Sequence, residues 1–223
     1  MSHKDTILEK LAKAVVDRSE EAAMAAVKEV IDAKIDPLEA IKVGRIAGGE
    51  VVENFVERKY SIPDTILSAQ ILMRVFEKLE KYIPKDKIPK PLATMVIGAV
   101  EGDFHEVGIK IVSAIFSLAG FKVYNIGVDQ PVENFIKKAE EVKADIIGAS
   151  AHTTKTLHQQ KVIIDVLKEK GLRKKYKLII GGRFWANKGT APGEEWCSEI
   201  EADDYATDVT VALEKARAIL ERK

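Results

Sequence analysis

The stretch Leu92–Phe116, LATMVIGAVEGDFHEVGIKIVSAIF, decides how the chain is read. Its first nine residues are almost unbroken in apolar side chains, the composition of a strand covered on both faces. Its last residues read as a helix. Between them lies a turn bounded by Gly102 and Gly108 that holds Asp103 and His105, although the whole chain has only four histidines. An apolar strand passing through a glycine turn into a helix is the first step of a βα repeat.

The same rhythm continues downstream. The short β-rich runs FKVYNIGV, ADIIGAS and KLIIGG are separated by the helical stretches PVENFIKKAEEVK and TTKTLHQQKVIIDVLKEKG. EADDYA supplies a fifth strand, and DVTVALEKARAILERK closes the segment as a helix. Residues 92–223 are therefore expected to form a flavodoxin-like (Rossmann-type), doubly wound, parallel five-stranded sheet in the order 2-1-3-4-5. Its ligand site belongs at the carboxyl ends of the strands.

Upstream the period is that of one-sided helices: Ile7, Leu8, Leu11 and Val15, then Ala23, Ala26, Val27, Val30 and Ile31. Breaks fall near Arg18–Ser19, at Asp36–Pro37 and at Ser61–Pro63, where Ser19, Asp36 and Ser61 can cap the helix that follows. Three breaks give four helices, so residues 1–83 are expected to be a four-helix bundle and the chain an α + α/β protein. The third helix carries Gly44, Gly48 and Gly49, each costing about 1 kcal/mol against alanine in a helix interior. Close packing or a bend would account for them. Residues 84–91, with Pro84, Pro89 and Pro91 among lysines, read as a linker between the two domains.

Composition narrows the function. Apolar residues make up 46% and charged residues 31%, with Lys+Arg and Asp+Glu balanced at 35 each. That balance advertises no nucleic-acid partner and no acidic membrane surface. The N-terminus is charged every few residues, and no stretch approaches the ~18 apolar residues of a membrane span, so a cytoplasmic location is expected. One cysteine, Cys197, excludes an intrachain disulfide and a multi-cysteine metal site. It is expected to be a structural thiol.

The unusual residues cluster where strands end. Gly102, Asp103, His105 and Gly108 follow the first strand; Ser150, His152, Thr153 and Thr154 follow the third; Gly181 and Gly182 follow the fourth. In the order 2-1-3-4-5 those three strands are neighbours, so the clusters converge on one edge. The spacing Asp-x-His leaves two readings open. Asp103 caps the next helix beside a bystander imidazole, or it holds one nitrogen of His105 while the other nitrogen binds a metal. His152 and His158 stand six apart, which is not a usual spacing for a three-histidine zinc site. Neither G-x-G-x-x-G nor G-x-x-x-x-G-K-[ST] occurs, so dinucleotide and P-loop nucleotide binding lack their fingerprints.

Together these pieces resemble the cobalamin-binding domain family, whose signature combines D-x-H-x-x-G, a later S-x-x-x-T-type segment and G-G. Here they stand as Asp103, His105 and Gly108; Ser150 and Thr154; Gly181 and Gly182. The first half is similar to the helical cap of such proteins, including methionine synthase's, through VVENFVERKYSIPDTILSAQILMRVFEKL. The nearest resemblance is to the stand-alone corrinoid proteins of anaerobic methyltransferase systems.

The resemblance implies a cobalamin whose cobalt takes His105 as its lower axial ligand, with Asp103 on the other ring nitrogen and Ser150 extending the relay. His105, Asp103 and Ser150 would then be the catalytic set. Phe104, Glu106 and Val107 would border the cofactor with Gly102 and Gly108. His152, Thr153, Thr154, Gly181, Gly182 and Arg183 would line or rim the slot for the displaced nucleotide tail. The upper face of the cobalt would point at the cap, and the linker would act as a hinge. His152 departs from the pattern, since an apolar residue is usual there, and Arg183, Phe184 and Trp185 follow the double glycine where small residues are common.

The implied function is methyl carriage. Co(I) would accept a methyl group through a substrate-specific methyltransferase, and methyl-Co(III) would pass it to a second methyltransferase for tetrahydrofolate or coenzyme M. A reductive activating protein would restore the cofactor. Methoxyaromatic compounds are the first expectation for the donor, then methylamines or methanol. A cobalamin-dependent sensor or regulatory module is the alternative, against which stands the lack of a recognisable helix-turn-helix before the cap.

Overall fold

Helix capping lays out the first four helices of the computed structural model, which describes residues 2–182 and 191–221. Helix α1 (His3–Val16) opens on a capping box in which the Ser2 hydroxyl accepts from the Asp5 N–H and the Asp5 carboxylate accepts from the Ser2 N–H. Ser19 caps α2 (Glu20–Asp32), and Asp36 caps α3 (Pro37–Val56) with Pro37 in its first turn. A second box, Ser61 with Asp64, opens α4 (Ile62–Glu80). The predicted breaks fall at these caps.

The four helices bury one apolar face each. Helix α1 packs on α2 and α3, while α4 packs on α3 and α2. Leu11, Val15, Val30, Val51, Ile71, Val75 and Leu79 are fully enclosed, at about 1.5–3 kcal/mol for each large aliphatic side chain. Gly44 shows why α3 tolerates glycine. A Cβ there would lie 3.0 Å from both Leu72 Cδ1 and Phe76 Cε1, so the two helices meet through its missing side chain. Close packing thus answers the question the sequence left open.

The chain divides into two compact units, Met1–Pro91 with Ser117–Gly120, and Leu92–Phe116 with Phe121–Lys223. Residues 84–92 include a single 3₁₀ turn, Lys85–Lys87, and are exposed or half-buried throughout.

The second unit is the parallel sheet. Strands β1 (Thr94–Ala99), β2 (Lys122–Asn125), β3 (Ile146–Ser150), β4 (Lys177–Gly181) and β5 (Asp204–Ala206) lie in the order 2-1-3-4-5, as the apolar runs predict. Helices α5 (Glu106–Leu118), α6 (Val132–Val142), α7 (Thr154–Glu169), α8 (Ala191–Ile200) and α9 (Val209–Glu221) connect or close them. Val96, Ile147, Leu178 and Ile180 are buried with Phe135, Ile164, Leu167 and Trp196 in one core.

Register fixes the functional edge. Ala99 pairs with Ser150, and Ser150 with Gly181. The last residues of β1, β3 and β4 therefore lie level, and the turns that follow them emerge side by side.

Candidate functional site

The turn after β1 is built around a buried carboxylate. The Asp103 N–H donates to Val100 O, and Asp103 O accepts from the Asp129 N–H, at 2.9 Å each. The backbone is thus pinned on both sides, and the Asp103 side chain is fully buried. Its Oδ1 accepts from the His105 N–H at 2.9 Å and from His105 Nδ1 at 2.8 Å. Its Oδ2 accepts from the His152 N–H at 2.5 Å and from Thr156 Oγ1 at 3.3 Å. One oxygen, Oδ1, thus both orders the backbone ahead of α5 and orients the imidazole.

Charge follows from those donors. Burial is the largest influence on Asp103 and raises its pKa, but the His105 N–H, the His105 ring and the His152 N–H outweigh it, and the net shift is downward. The carboxylate is therefore anionic at neutral pH. An anionic acceptor on Nδ1 selects the tautomer with its proton on Nδ1 and its lone pair on Nε2. The His105 side chain is 58% exposed, and the neighbouring Phe104 and Val107 are exposed apolar side chains at 68% and 62%. A basic imidazole nitrogen beside uncovered apolar groups fits a flat, largely apolar metal-bearing ligand such as a corrin.

The hydroxyl on the Asp103 carboxylate belongs to Thr156. Ser150, expected in that role, ends β3, and its carbonyl accepts from the Val100 N–H at 3.0 Å. Thr156 reaches Asp103 because α7 begins with a third capping box, Thr153 with Thr156. Thr153 Oγ1 lies 3.0 Å from Thr156 Oγ1, which places the latter over the buried carboxylate. A hint of this stands in the sequence, in the run Thr153-Thr154-Lys155-Thr156, where a cap and its third residue share a face.

Other expected residues take different places. His152 is mostly buried and stacks on His105, with ring centroids 4.5 Å apart and planes 23° apart. Among the described residues, the three-membered group with metal-ligand atoms in reach of one another is Asp103, His105 and His152. His158 stands elsewhere, edge-on to Trp196 at 5.7 Å. Thr154 begins α7, and Glu106 begins α5 and pairs with Lys110 at 2.7 Å. The Gly102 N–H donates to Asp129 Oδ1 at 2.7 Å. Arg183, with Phe184 and Trp185, lies outside the described residues.

The double glycine has a backbone cause. Gly182 sits at φ +132°, and a Cβ there would stand 1.8 Å from the Ala151 carbonyl oxygen. The exits of β3 and β4 meet so closely that no side chain fits. Gln160, which the sequence reading missed, ties these exits together by donating to Ala149 O at 2.9 Å and Gly181 O at 3.0 Å. Its carbonyl accepts from Trp196 Nε1 at 3.1 Å, so Trp196 packs and caps a buried amide. Burial pushes the Cys197 thiol up to about 11, which fits a structural role.

Comparisons with known proteins decide the family. The profile described as "B12 binding domain" matches residues 93–213, and a second B12 binding domain profile matches residues 7–80. The chain belongs to the B12-binding corrinoid proteins. It is 38% identical over 219 residues to dimethylamine corrinoid protein 1 of Methanosarcina acetivorans, covering 97% of this chain and 99% of that one. Among solved structures, this corrinoid protein is similar to the methanol:cobalamin methyltransferase complex of Methanosarcina barkeri, with TM-score 0.85 and 25% identity over 99% of this chain and 81% of that one. It is also similar to a cobalamin-binding protein from Desulfitobacterium hafniense DCB-2, with TM-score 0.67 and 31% identity over 95% of this chain and 98% of that one. Cobalamin is its cofactor. No described helix is long and apolar enough to cross a membrane.

Proposed function

We propose that this chain is the methyl-carrying corrinoid subunit of a cytoplasmic methyltransferase system, with His105 as the lower ligand of cobalt. The carrying observation is the 2.8 Å contact of His105 Nδ1 with Asp103 Oδ1, which commits one ring nitrogen to a buried carboxylate and turns the other outward. When bound, the corrinoid supplies a cobalt that gains and loses a methyl group and needs reduction after stray oxidation. His105 supplies a nitrogen whose tautomer and direction the Asp103 anion would hold. Thr156 and the His152 N–H hold that anion in place, so the relay runs from α7 through Asp103 to His105. Gly181 and Gly182 keep the exits of β3 and β4 free of side chains beside the slot proposed for the nucleotide tail.

Three partners follow from this chemistry: a methyltransferase that activates the donor, a second that delivers the methyl group to tetrahydrofolate or coenzyme M, and a reductive activating protein. Among donors we place methylated amines first, supported by the identity to a dimethylamine corrinoid protein along nearly the whole chain. Methanol follows, supported by the methanol complex. A methoxylated aromatic, first on sequence alone, stands behind them.

The test is spectroscopic and then enzymatic. Protein reconstituted with hydroxocobalamin is expected to give a base-off, His-on spectrum, and His105→Ala to lose it; an unchanged spectrum in that variant overturns the assignment. Labelled methyl transfer from dimethylamine, methanol and a methoxybenzene, each with its activating methyltransferase, then ranks the donors.

A further inference from the structure

The ring beneath His105 gives His152 a task of its own. The two histidines share one carboxylate: His105 takes Oδ1, and His152 takes Oδ2 through its N–H at 2.5 Å, with its Nδ1 3.5 Å from the same oxygen. Their rings stack at 4.5 Å. The members are unequal, because the His152 side chain is 12% exposed and the His105 side chain 58%. The far edge of the His152 ring, Cε1 and Nε2, lies 3.7 Å from where a Gly108 Cβ would stand, so α5 backs it. His152 is thus a wedged plate, and His105 is the ring that rests on it.

The two contacts restrain different motions. A single hydrogen bond at Nδ1 fixes a direction, but the ring can still tilt about it, because the terminal torsion of histidine is broad. A stacked face fixes the plane. Tilting His105 toward His152 would drive one ring into the other and tilting away would lose the stacked contact, so the direction of Nε2 is restrained before any ligand arrives. Ordering the ligand in advance favours its bound form, since that ordering is not lost again on binding.

We propose that His152 is a positioning residue for the cobalt-binding imidazole, its aromatic face holding the plane of His105 so that Nε2 is aimed in the free protein. This rests on the assignment of His105 as the lower ligand. The hydrogen bond to Oδ2 from the His152 backbone survives substitution, so variants of this residue change the ring alone, and a phenyl ring keeps the face without the nitrogens. Stacked aromatic pairs contribute about 0.5–1.5 kcal/mol beyond their buried area, which corresponds to roughly twofold to twelvefold in an equilibrium constant.

The experiment compares wild type, His152→Phe, His152→Leu and His152→Ala in the full chain, with circular dichroism to establish folding. Protein labelled with ¹⁵N and reconstituted with unlabelled cobalamin is reduced to the cob(II) state, and the His-on to His-off ratio is read from the ¹⁵N hyperfine splitting in electron paramagnetic resonance, which the cofactor's own ¹⁴N base does not give. The ratio is expected to stay near wild type in Phe and to fall about fivefold in Ala, with a fall in Leu as well. Leu against Phe decides the matter if Ala does not fold. In the cobalamin-free chain, the His105 ring protons are expected to show a ring-current shift that Phe keeps and Leu and Ala lose. Equal ratios in Leu and Phe, or equal losses in both, overturn the proposal. A wild type without ¹⁵N hyperfine splitting overturns the ligand assignment instead. The ring-current shift tests the stack independently of cobalamin.

Discussion

The same capping box appears at the start of α4 and at the start of α7, with different consequences. At α4 the Ser61 hydroxyl and the Asp64 carboxylate satisfy each other's backbone, on exposed residues. At α7 Thr153 and Thr156 repeat that exchange, but Thr156 Oγ1 is buried and passes on to Asp103 Oδ2. One box holds a helix start and pairs near the surface with Arg18 at 3.3 Å; the other leads through a buried carboxylate to an exposed imidazole. A polar motif becomes part of a site when burial joins it to a group whose last valence faces outward.

The largest expected effect tests whether the α7 side depends on backbone shape. Gly182→Ala is expected to cost about 3 kcal/mol or more, because strain at φ +132° adds to overlap with the Ala151 carbonyl. Urea denaturation of the cobalamin-free protein measures it, and a loss under 1 kcal/mol would show that the strand exits can part.

Next comes the carboxylate on which the relay converges. Asp103→Asn keeps the shape but sets an NH₂ against a backbone N–H, that of His105 or that of His152, whichever way the amide is turned, and a cost of about 2–3 kcal/mol is expected. The His-on spectrum should weaken with it, which a purely structural aspartate would not produce.

Truncating the two boxes compares them directly. Thr156→Val removes a cap partner and a buried bond to an anion and is expected to cost about 2 kcal/mol, whereas Ser61→Ala removes a cap alone and should cost about 1 kcal/mol. Only Thr156→Val should also move the His-on to His-off ratio. Equal effects of both on that ratio would dissolve the distinction between them.

How much of this was legible follows from the range of the interactions. The caps at Ser19, Asp36 and Ser61 are local, so sequence spacing carries them. The strand order was legible because nearly continuous apolar runs admit few parallel sheets. Asp103 and His105 stand two apart and were named for that reason. Thr156 and Gln160 were missed because their partners lie 53 and 21 residues away, at Asp103 and Gly181, and only the folded register brings them together. The stack of His152 on His105 was hidden likewise: the residue stood out as unusual, but its partner is set by the level ends of β1 and β3.

The smallest expected effect concerns acid. The Asp103 carboxylate lies below its ordinary value of 3.8 in the folded protein, burial opposing the shift and the donors of His105 and His152 overcoming it. A carboxylate whose folded pKa is depressed adds stability above its unfolded pKa and loses that stability as pH falls through the folded one. The gap in unfolding free energy between wild type and Asp103→Asn should therefore narrow as pH falls below about 3.8. Asp64 is depressed as well, chiefly by the Ser61 hydroxyl, but at an exposed site where water and salt screen the gain. The wild type against Ser61→Ala gap should thus change far less over the same range. Parallel acid profiles for the two variants would mean that burial of Asp103 adds nothing to its hold on the two histidines.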